Sequence, residues 1–520
     1  MKGDFSRISF DATRHFSRVL LQQGRVTLDA DPNEEGAILL HYLRTLARDL
    51  IGPCGGPPDH LGFELTLDTS DSSHPKLTIG KGRYYVDGIL VENDSDCDYA
   101  TQPDWSAGSN DPLLLRLKAG SGQDFWLYLD VWERHVTWIE DDRIRESALG
   151  GPDTCTRAKV VWQVRAVARD ALVDTLTARR DAIQVRLDND QSLTDDERAT
   201  LQAQHDKLQQ DIDRLAQTTG TNARNDCTAP LDALVGLSDA QMTARLDPGQ
   251  QIKDPCTVSP DALYRGAENQ LYRVEVHRGS AAGVAPTFKW SRDNGSVATR
   301  WLGTEGNDLV VTSGRDFSAG CWVELGDDSN DLLGEPGLLV KLAKVDGDRL
   351  SVDPASIPSG ASIAFTTSLR HAKVRRWDQR ETDDTTLDEG AVPLVEASAT
   401  EPNWLTLEDG IQVQFAAGGS YRSGDYWLIP ARVATGSIEW PSTLDASGTV
   451  QWQPQPPRGV EHHYAPLGYV AVNSDGNLDT TRCLCEIEPI NTCDAQRRID
   501  RGQPPAPRPA RPKTTGGKPK

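Results

Sequence analysis

Two adjacent histidines, His462 and His463, are the residues of this sequence best suited to acid–base chemistry. Either imidazole could exchange protons with Glu461 or Tyr464 near neutral pH, where histidine changes charge. Neighbours on an extended segment point to opposite faces, so the two side chains are not expected to share one metal ion. We predict that each histidine is a hydrogen-bonded packing residue, with acid–base work as the alternative.

Carboxylates are the second candidates, because a glycosidase needs two of them about 5 Å or about 6.5–9.5 Å apart. The chain has 77 acidic residues, so pairs that are close in sequence are expected by chance. The candidates are Asp130 with Glu133, and Asp378, Glu381, Asp383 and Asp384 after Trp377. Polysaccharide cleavage is kept as a third hypothesis. The main prediction is that the protein is not an enzyme and has no catalytic residue.

Thiolates offer a third kind of chemistry. Cys483, Cys485 and Cys493 could supply three metal ligands, but a structural zinc site normally has four ligands with two-residue spacers. We therefore predict no metal site and no cofactor. The nine cysteines are odd in number and widely spaced, unlike a disulfide scaffold, and reduced thiols are predicted.

Motifs that announce a reaction are absent from the sequence. There is no Walker-type glycine loop, GxSxG elbow, HExxH helix or EF-hand loop. The 13 tryptophans could form sugar-binding platforms at the surface, but tryptophan at alternating strand positions more often packs in a core. Packing is the prediction, and recognition of cell-surface glycans is the alternative.

Charge and hydropathy narrow the class of partner. The 520 residues include 55 Lys and Arg against 77 Asp and Glu, a net charge of −22 that argues against nucleic acid as the main partner. The first residues are charged, and no later stretch approaches the ~18 apolar residues of a membrane helix. A cytoplasmic chain without membrane insertion is expected.

The elements that must position these groups begin with an N-terminal strand and helix. Gly24–Asp29 alternates as a strand does, and Asp31 and Pro32 then resemble the start of a helix. Apolar residues at helical spacing predict an amphipathic helix that ends near Gly52: Ile38, Leu39, Tyr42, Leu43, Leu46 and Leu50.

Most of the remaining chain has the pattern of antiparallel β structure. Short alternating runs are joined by Asp-Gly or Asn-Gly pairs, which tolerate the positive φ of tight turns. These pairs begin at Asp87, Asn294, Asp346, Asp409 and Asp475. Turns of this kind favour sandwiches or barrels over a βαβ sheet. The predicted fold is mainly β, with an N-terminal strand–helix element.

One segment has helical periodicity instead. Heptad-like spacings on both sides of a capping box at Thr194–Glu197 predict an antiparallel helical hairpin, roughly residues 168–217. The hairpin is interpreted as a projecting arm that contacts a partner, with a helix pair lying flat on its own domain as the alternative. The predicted units are a docking element 1–52, a β domain 53–167, the hairpin 168–217, β domains 218–390 and 391–493, and a tail 494–520.

The tail is strongly basic and rich in proline. Residues 494–520 carry eight basic residues, two acidic residues and six prolines. With so little apolar surface to bury, the tail is predicted to be disordered. It is interpreted either as an electrostatic tether to an acidic neighbour or as a solubilising end.

Several long stretches resemble one uncharacterised bacterial family, encoded among phage-tail-like contractile injection system genes near baseplate genes. The stretches are Met1–Arg7, Gln22–Glu34, Gly82–Leu90, Leu129–His135, Glu268–Glu275, Phe288–Ser296 and Gly424–Arg432. The resemblance runs from the first residue to about Pro466. Pro32 departs from it, since tryptophan is expected at that position.

The resemblance implies a structural component of such a particle, either a baseplate-associated adaptor or a tail-fibre-type protein, with other subunits of the particle as partners. Such a particle component is assembled in the cytosol and could later be released. Fibre proteins lead us to expect a homo-oligomer such as a trimer. The N-terminal element is the predicted docking site, through Phe5, Gln22, Gln23, Arg25, Leu28, Asp29, Asp31, Asn33 and Glu34.

Overall fold

The structure is a computed structural model of the chain. It describes residues 1–488 except 69, 71–74, 107, 109, 120–123, 190–194, 218–226, 228–239, 249–262, 281–283, 383–384, 399–400, 447–449 and 473–477. The predicted basic tail, the turn at Asp475, and Cys256 and Cys493 lie outside the described residues. Within the described residues, no helix is long and apolar enough to cross a membrane.

Five α-helices and 28 strands form in the described part of the chain. The helices are α1 Ala30–Ile51, α2 Pro112–Ala119, α3 Arg169–Asn189, α4 Asp195–Gln217 and α5 Asp328–Leu333. The first strands are β1 Cys54–Gly55, β2 Leu65–Asp68, β3 Lys76–Ile79, β4 Gly82–Val86, β5 Ile89–Asn93, β6 Cys97–Asp98, β7 Thr101–Gln102, β8 Trp105–Ser106, β9 Phe125–Val136 and β10 Arg157–Ala168.

The middle strands are β11 Met242–Leu246, β12 Gln270–Arg278, β13 Thr287–Ser291, β14 Ala298–Glu305, β15 Asp308–Val311, β16 Trp322–Gly326, β17 Leu338–Asp346, β18 Arg349–Val352 and β19 Lys373–Trp377. The last strands are β20 Val392–Pro393, β21 Leu405–Thr406, β22 Ile411–Phe415, β23 Tyr426–Arg432, β24 Ser437–Ile438, β25 Ser442–Leu444, β26 Val450–Trp452, β27 His463–Val472 and β28 Leu478–Arg482. The predicted fold class, mainly β with antiparallel sheets, is confirmed.

The strands surround three main apolar cores. In the first, the sheet β10-β9-β27-β28 covers the small sheets β1-β4-β5 and β2-β3-β6, together with helix α2. In the second, the five-stranded sheet β20-β13-β12-β23-β24 packs on β11-β22-β21 as a sandwich. The third fills a closed six-stranded barrel, β14-β15-β18-β17-β16-β19. The predicted sandwich and barrel architectures are therefore both present.

Strands from distant parts of the chain complete two of these cores. The segment predicted as one β domain, 391–493, is divided between them. Strands β22 and β23 pair with β11 and β12 in the sandwich, whereas β27 pairs with β9 in the first core. The reason is that antiparallel pairing places no limit on the sequence separation of two strands. Turn signals in the sequence therefore identify hairpins, but they do not identify strands that pair across a large sequence separation.

The predicted hairpin turns follow the Asp-Gly pairs closely. Asp87 and Gly88 have φ of 48° and 81° and connect β4 to β5. The pairs at Asp346 and Asp409 likewise connect paired strands. Asn294 and Gly295 form a turn of the same hand, but the strands on its two sides, β13 and β14, belong to different sheets.

The N-terminal element is a helix without its predicted strand. Residues 24–29 form no strand, and Gly24 has φ of 72° in a turn. An alternating pattern makes a strand only where another strand edge accepts its hydrogen bonds, and these residues are exposed. The helix prediction is confirmed: α1 tolerates Pro32 in its first turn and ends at Gly52, whose N–H donates to the Arg48 carbonyl at 2.8 Å.

The predicted helical hairpin is also confirmed as α3 and α4. Its end nearest the sheet packs Leu172, Leu176 and Leu215 against Trp126 of β9. These contacts lie on the face of the sheet opposite the first core. Thr194 of the predicted capping box lies outside the described residues, and α4 begins one residue later.

The prediction that all thiols are reduced is wrong for one pair. Cys227 and Cys483 form a disulfide with Cα atoms 5.4 Å apart, although they are 256 residues apart in sequence. Wide spacing along the chain says nothing about distance in the fold. Among the described cysteines, Cys54, Cys97, Cys155, Cys321 and Cys485 are free thiols.

Helix α1 rests on the β4–β5 turn through a close backbone approach. Gly88 has a left-handed backbone, and a Cβ atom there would overlap the carbonyl oxygen of Arg44 on α1. We predict that Gly88→Ala lowers stability by more than about 2 kcal/mol, because left-handed strain and the clash add together. Thermal unfolding measures the change.

Gly306 provides the matched control. It has a similar φ of 64°, but a Cβ atom added to it would have no neighbouring atom within 4 Å. Gly306→Ala should cost only the left-handed strain of about 1 kcal/mol. Equal shifts in the two variants would show that the approach of α1 to Gly88 does not contribute to stability.

Candidate functional site

Two buried cations and one partly exposed cation meet two buried carboxylates where the sandwich and the barrel join. Arg273 Nε lies 2.5 Å and Lys2 Nζ 3.0 Å from the Glu275 carboxylate. Lys289 Nζ lies 3.3 Å from Glu275 and 2.5 Å from Glu324 of barrel strand β16. We call this group of five residues the ion ladder. It connects the N-terminal segment, the sandwich and the barrel.

Burial and the nearby cations shift the pKa values of the two ladder carboxylates in opposite directions. Burial alone would raise the pKa of Glu275, but Lys2, Arg273 and Lys289 hold that pKa well below its usual range. The pKa of Glu324 is likewise lowered, since Lys289 and Lys2 outweigh the effect of burial. Trp377 Nε1 also donates to Glu324 at 2.9 Å. Both carboxylates are therefore held in the charged form.

The backbone of the first residues is bound as firmly as the Lys2 side chain. Asn294 Nδ2 donates to the carbonyls of Gly3 at 2.9 Å and Met1 at 3.3 Å. The Met1 amino group donates to the Tyr426 hydroxyl at 2.9 Å. The Asn-Gly turn identified in the sequence thus supplies the side chain that holds the N-terminal segment.

A second charged cluster joins the barrel to sheet strand β9. Arg134 lies 2.5 Å from Asp328 and 3.1 Å from Asp331. Lys373 of the barrel lies 2.5 Å from Asp331 and 2.9 Å from Glu140. Burial would raise the pKa of Glu140, but Lys373 and hydrogen bonds from Thr137 lower it to about 2. This cluster and the ion ladder fix all three cores to one another.

Both candidate histidines contact aspartates beside a cavity of about 870 Å³. His462 Nδ1 lies 2.7 Å from Asp130, and its ring stacks on Trp132 with centroids 4.8 Å apart. His463 Nδ1 lies 3.0 Å from Asp87. The two imidazoles have different partners, as hydrogen-bonded packing residues do.

The candidate catalytic carboxylates that the structure describes form ion pairs with basic side chains. Asp130 also contacts Arg165 at 3.4 Å, and Glu133 pairs with Arg44 at 2.9 Å. Asp378 pairs with Arg376 at 3.3 Å. Asp383 and Asp384 lie outside the described residues. Among the residues that the structure describes, no group of three or more His, Cys, Asp or Glu is arranged to hold a metal.

The tryptophans are packed inside the protein. All 13 are described, nine are buried, and none of the other four is fully exposed. The most accessible ones are partly covered by arginine, as where Arg245 stacks on Trp404 at 3.8 Å. This arrangement agrees with the packing prediction.

Exposed apolar side chains are concentrated in one segment near the N-terminus. Residues 16–50, which we call the apolar arm, contain eleven of the 26 large apolar side chains that the described residues expose. In α1 only Ala30 and Ile38 are buried. The exposed members are Phe16, Leu20, Leu21, Val26, Leu28, Leu39, Leu40, Tyr42, Leu43, Leu46 and Leu50. The predicted amphipathic helix therefore forms, but its apolar face is mostly uncovered.

Polar contacts hold the arm against the body. Arg48 lies 3.5 Å from Asp87, and Arg44 pairs with Glu133 of β9. The Ser6 N–H donates to Asp29 at 2.9 Å, and the Ser9 hydroxyl donates to Glu34 at 2.6 Å.

The predicted docking residues divide into two groups. Gln22, Gln23, Arg25, Leu28 and Asn33 are exposed on the apolar arm. The others make contacts within the chain: Phe5 lies edge-on to His135 with ring centroids 6.0 Å apart, Asp31 accepts from the Leu28 N–H at 2.9 Å, and Asp29 and Glu34 bind serines as above.

Sequence reasoning missed the ion ladder. Its one visible signal was charge inside strongly apolar strands, since Glu275 and Lys289 are directly opposite each other in β12 and β13. The contribution of Lys2 could not be found, because it reaches Glu275 from 273 positions away along the chain.

The family model of one protein family matches residues 1–516, nearly the whole chain. The protein belongs to DUF6519, a family of unknown function. The match extends beyond Pro466, where the resemblance noted in the sequence ends. No curated protein is similar to this chain in sequence. A solved structure titled "Crystal structure of TssK" is 11% identical, with a TM-score of 0.16, over 76% of this chain and 98% of that one; a score this low supports no conclusion.

Removal of one cation should test the ion ladder in this DUF6519 protein. Lys289→Met removes the cation that lies 2.5 Å from buried Glu324 and one of the three cations that contact Glu275, and we expect a loss of about 3–5 kcal/mol. The measurement is the shift of the thermal unfolding midpoint. Lys344→Met is the control, because Lys344 forms an exposed pair with Asp346 at 2.9 Å and should change nothing measurable. A wild-type midpoint for Lys289→Met would contradict the structural role of the ladder.

Two histidines should make the protein sensitive to mild acid. Burial, supplemented by nearby cations, lowers the pKa of His135 to about 3 and that of His277 to about 4. One ring nitrogen of each, His135 Nε2 and His277 Nδ1, is buried without a hydrogen-bond partner in the described structure. Each imidazole is therefore neutral when the protein is folded and protonated when it is unfolded in mild acid.

The sign follows from this difference. Stability is independent of these groups above about pH 6.5 and decreases as the pH falls toward about 4, by up to ~1.4 kcal/mol per pH unit for each histidine. His135→Gln with His277→Gln should flatten the decline in the unfolding midpoint over this range. Substitution of the exposed His60 by Gln should leave the slope unchanged, and an unchanged slope in the double variant would show that these histidines do not cause it.

Proposed function

We propose that this protein is a structural subunit of a contractile, phage-tail-like particle, and that the apolar arm docks on a neighbouring protein subunit near the baseplate. The observation that carries this proposal is the concentration of exposed apolar side chains in residues 16–50. Covering such surface contributes about 25 cal/mol for each Å² removed from water. The resemblance of the sequence to a family encoded near baseplate genes suggests that the partner that covers the arm is a subunit of such a particle.

The chemistry of the arm favours a protein partner. Residues 16–50 contain four arginines and five acidic residues, so the arm lacks the basic face that anionic membranes attract. On α1, Leu39, Leu43, Leu46 and Leu50 follow one another at intervals of four, three and four residues. This is the spacing of a helix–helix seam. The partner surface is therefore expected to present a helix, either from another subunit type or from a second copy of this chain.

In this proposal, the ion ladder and two further ion pairs give the arm a rigid base. The ion ladder and Asn294 hold residues 1–3, while Arg44 and Arg48 fasten α1 to the first core. A docking element fixed at both ends loses little conformational entropy on binding. The proposal assigns no bond-making chemistry to the side chains, and it places assembly in the cytosol before release of any particle.

Charge placed in the seam should abolish docking. We expect Leu43→Asp combined with Leu46→Asp to eliminate co-purification with the particle, because two carboxylates would be buried in an apolar interface. Both side chains are more than half exposed, so the isolated subunit should retain its circular dichroism spectrum and unfolding midpoint. Sedimentation of the isolated wild type and the double variant tests self-association through the same seam.

Leu444→Asp is the matched control, since Leu444 is 71% exposed but lies on β25, outside the arm. It should leave incorporation intact. Normal incorporation of the double variant would refute docking through the arm. Point substitutions are preferable to removal of residues 1–50, since that deletion would also take Lys2 from the ion ladder.

A further inference from the structure

Four cysteines from three distant parts of the chain come together at the base of helix α1. Cys54 begins strand β1, two residues after the cap of α1. Cys483 and Cys485 follow β28, and Cys483 is bonded to Cys227. The metal-ligand pattern considered for the sequence does not explain the group, since the described residues contain no candidate metal cluster.

Backbone hydrogen bonds place Cys485 beside Cys54. Gly56 N–H donates to the Cys485 carbonyl at 2.9 Å, and Ile487 N–H donates to the Gly56 carbonyl at 2.9 Å. The Cys485 N–H donates to the Tyr84 hydroxyl at 3.0 Å. The Cys54 thiol lies near both the Tyr84 hydroxyl and the Cys485 thiol, close enough for each of them to affect its pKa. These contacts bring two free thiols together in the folded protein.

We propose that Cys54 and Cys485 are a redox-active dithiol, which closes into a second disulfide beside Cys227–Cys483. Closure would join the base of the apolar arm covalently to the segment that follows β28. It would also make the attachment of α1 dependent on oxidation.

The two thiols have different roles in the reaction. Cys485 is exposed and Cys54 is half-buried, so an oxidant in solution reaches Cys485 first. With oxidised glutathione, the Cys485 thiolate attacks one glutathione sulfur, forms a mixed disulfide and releases one glutathione thiolate. The Cys54 thiolate then attacks the Cys485 sulfur and releases the second glutathione. Two protein thiols are oxidised, one glutathione disulfide is reduced, and the two protons pass to the glutathione thiolates.

The second step should be slow at neutral pH. Burial raises the pKa of the Cys54 thiol to about 11, although its contact with the Tyr84 hydroxyl opposes the rise. Because only the thiolate attacks, the rate of closure from the mixed disulfide should increase about tenfold for each pH unit below that pKa. The pH dependence separates a reaction of Cys54 from one limited by a more acidic thiol.

The test uses the full chain incubated with oxidised glutathione, followed by trypsin digestion and tandem mass spectrometry. We expect a cross-link between peptides 49–76 and 483–497, which also carry the Cys227–Cys483 bond to peptide 225–245. The cross-link should disappear in Cys54→Ser and in Cys485→Ser. It should persist in Cys155→Ser and in Cys493→Ser, which serve as controls. Cys54→Ser should accumulate glutathione on Cys485, because the resolving thiol is gone.

The proposal is overturned if wild-type Cys54 remains a free thiol while Cys485 becomes glutathionylated. It is also overturned if the cross-link survives in Cys485→Ser. The first outcome needs no variant, because alkylation of the wild-type chain before digestion reports the state of Cys54 directly. Incorporation into a particle is not part of the readout, so failure of this proposal and failure of the docking proposal can be told apart.

Discussion

Compensation of buried charge is the constraint on which the arrangement of the three cores depends. Glu275 and Lys289 are each only 2% exposed, and each has a partner of opposite charge within 3.3 Å. Removal of water from a charge costs several kcal/mol, and only close partners of opposite sign repay that cost. The barrel residue Glu324 and the N-terminal residue Lys2 complete the compensation. The sandwich, the barrel and the first residues of the chain must therefore assemble together.

Buried ion pairs of this kind contribute more to the relative orientation of the cores than to the free energy of unfolding. Apolar packing inside each core supplies most of the stabilisation, since the three cores contain most of the buried apolar side chains. Ion pairs of fixed geometry add directional preference, because a displaced carboxylate would lose its partners. The same logic applies at Arg134 and Lys373, where the barrel meets the first core. In the proposed function, such rigidity would let the protein present one surface at a defined angle.

The exposed apolar arm has the opposite character. Its large apolar side chains are mostly exposed, yet its helix is held by the Gly52 cap and by contacts at Arg44, Arg48 and Gly88. In the proposed function, the ion ladder holds the N-terminal segment in place, and the apolar arm binds the neighbouring subunit. The cysteine group lies at the carboxyl end of the arm's helix, and so any covalent change there acts on the base of the arm.

The local elements of this protein could be predicted from its residues alone, whereas the meetings between distant elements could not. The periodicity of α1, α3 and α4, the Asp-Gly turns and the predominance of β structure depend on interactions within a few residues, which the sequence displays directly. The apolar arm was located in the same way, although the strand expected at 24–29 failed because no neighbouring edge was present to bind it. Which strands share a sheet and which charges share a site became visible only in the folded chain. β27 joins β9 across more than 300 residues, Lys2 finds Glu275 across 273, and the Cys227–Cys483 bond spans 256. Periodicity and turn chemistry carry no information about such meetings, because they are set by the burial of whole surfaces and the pairing of buried charges after the local elements have formed.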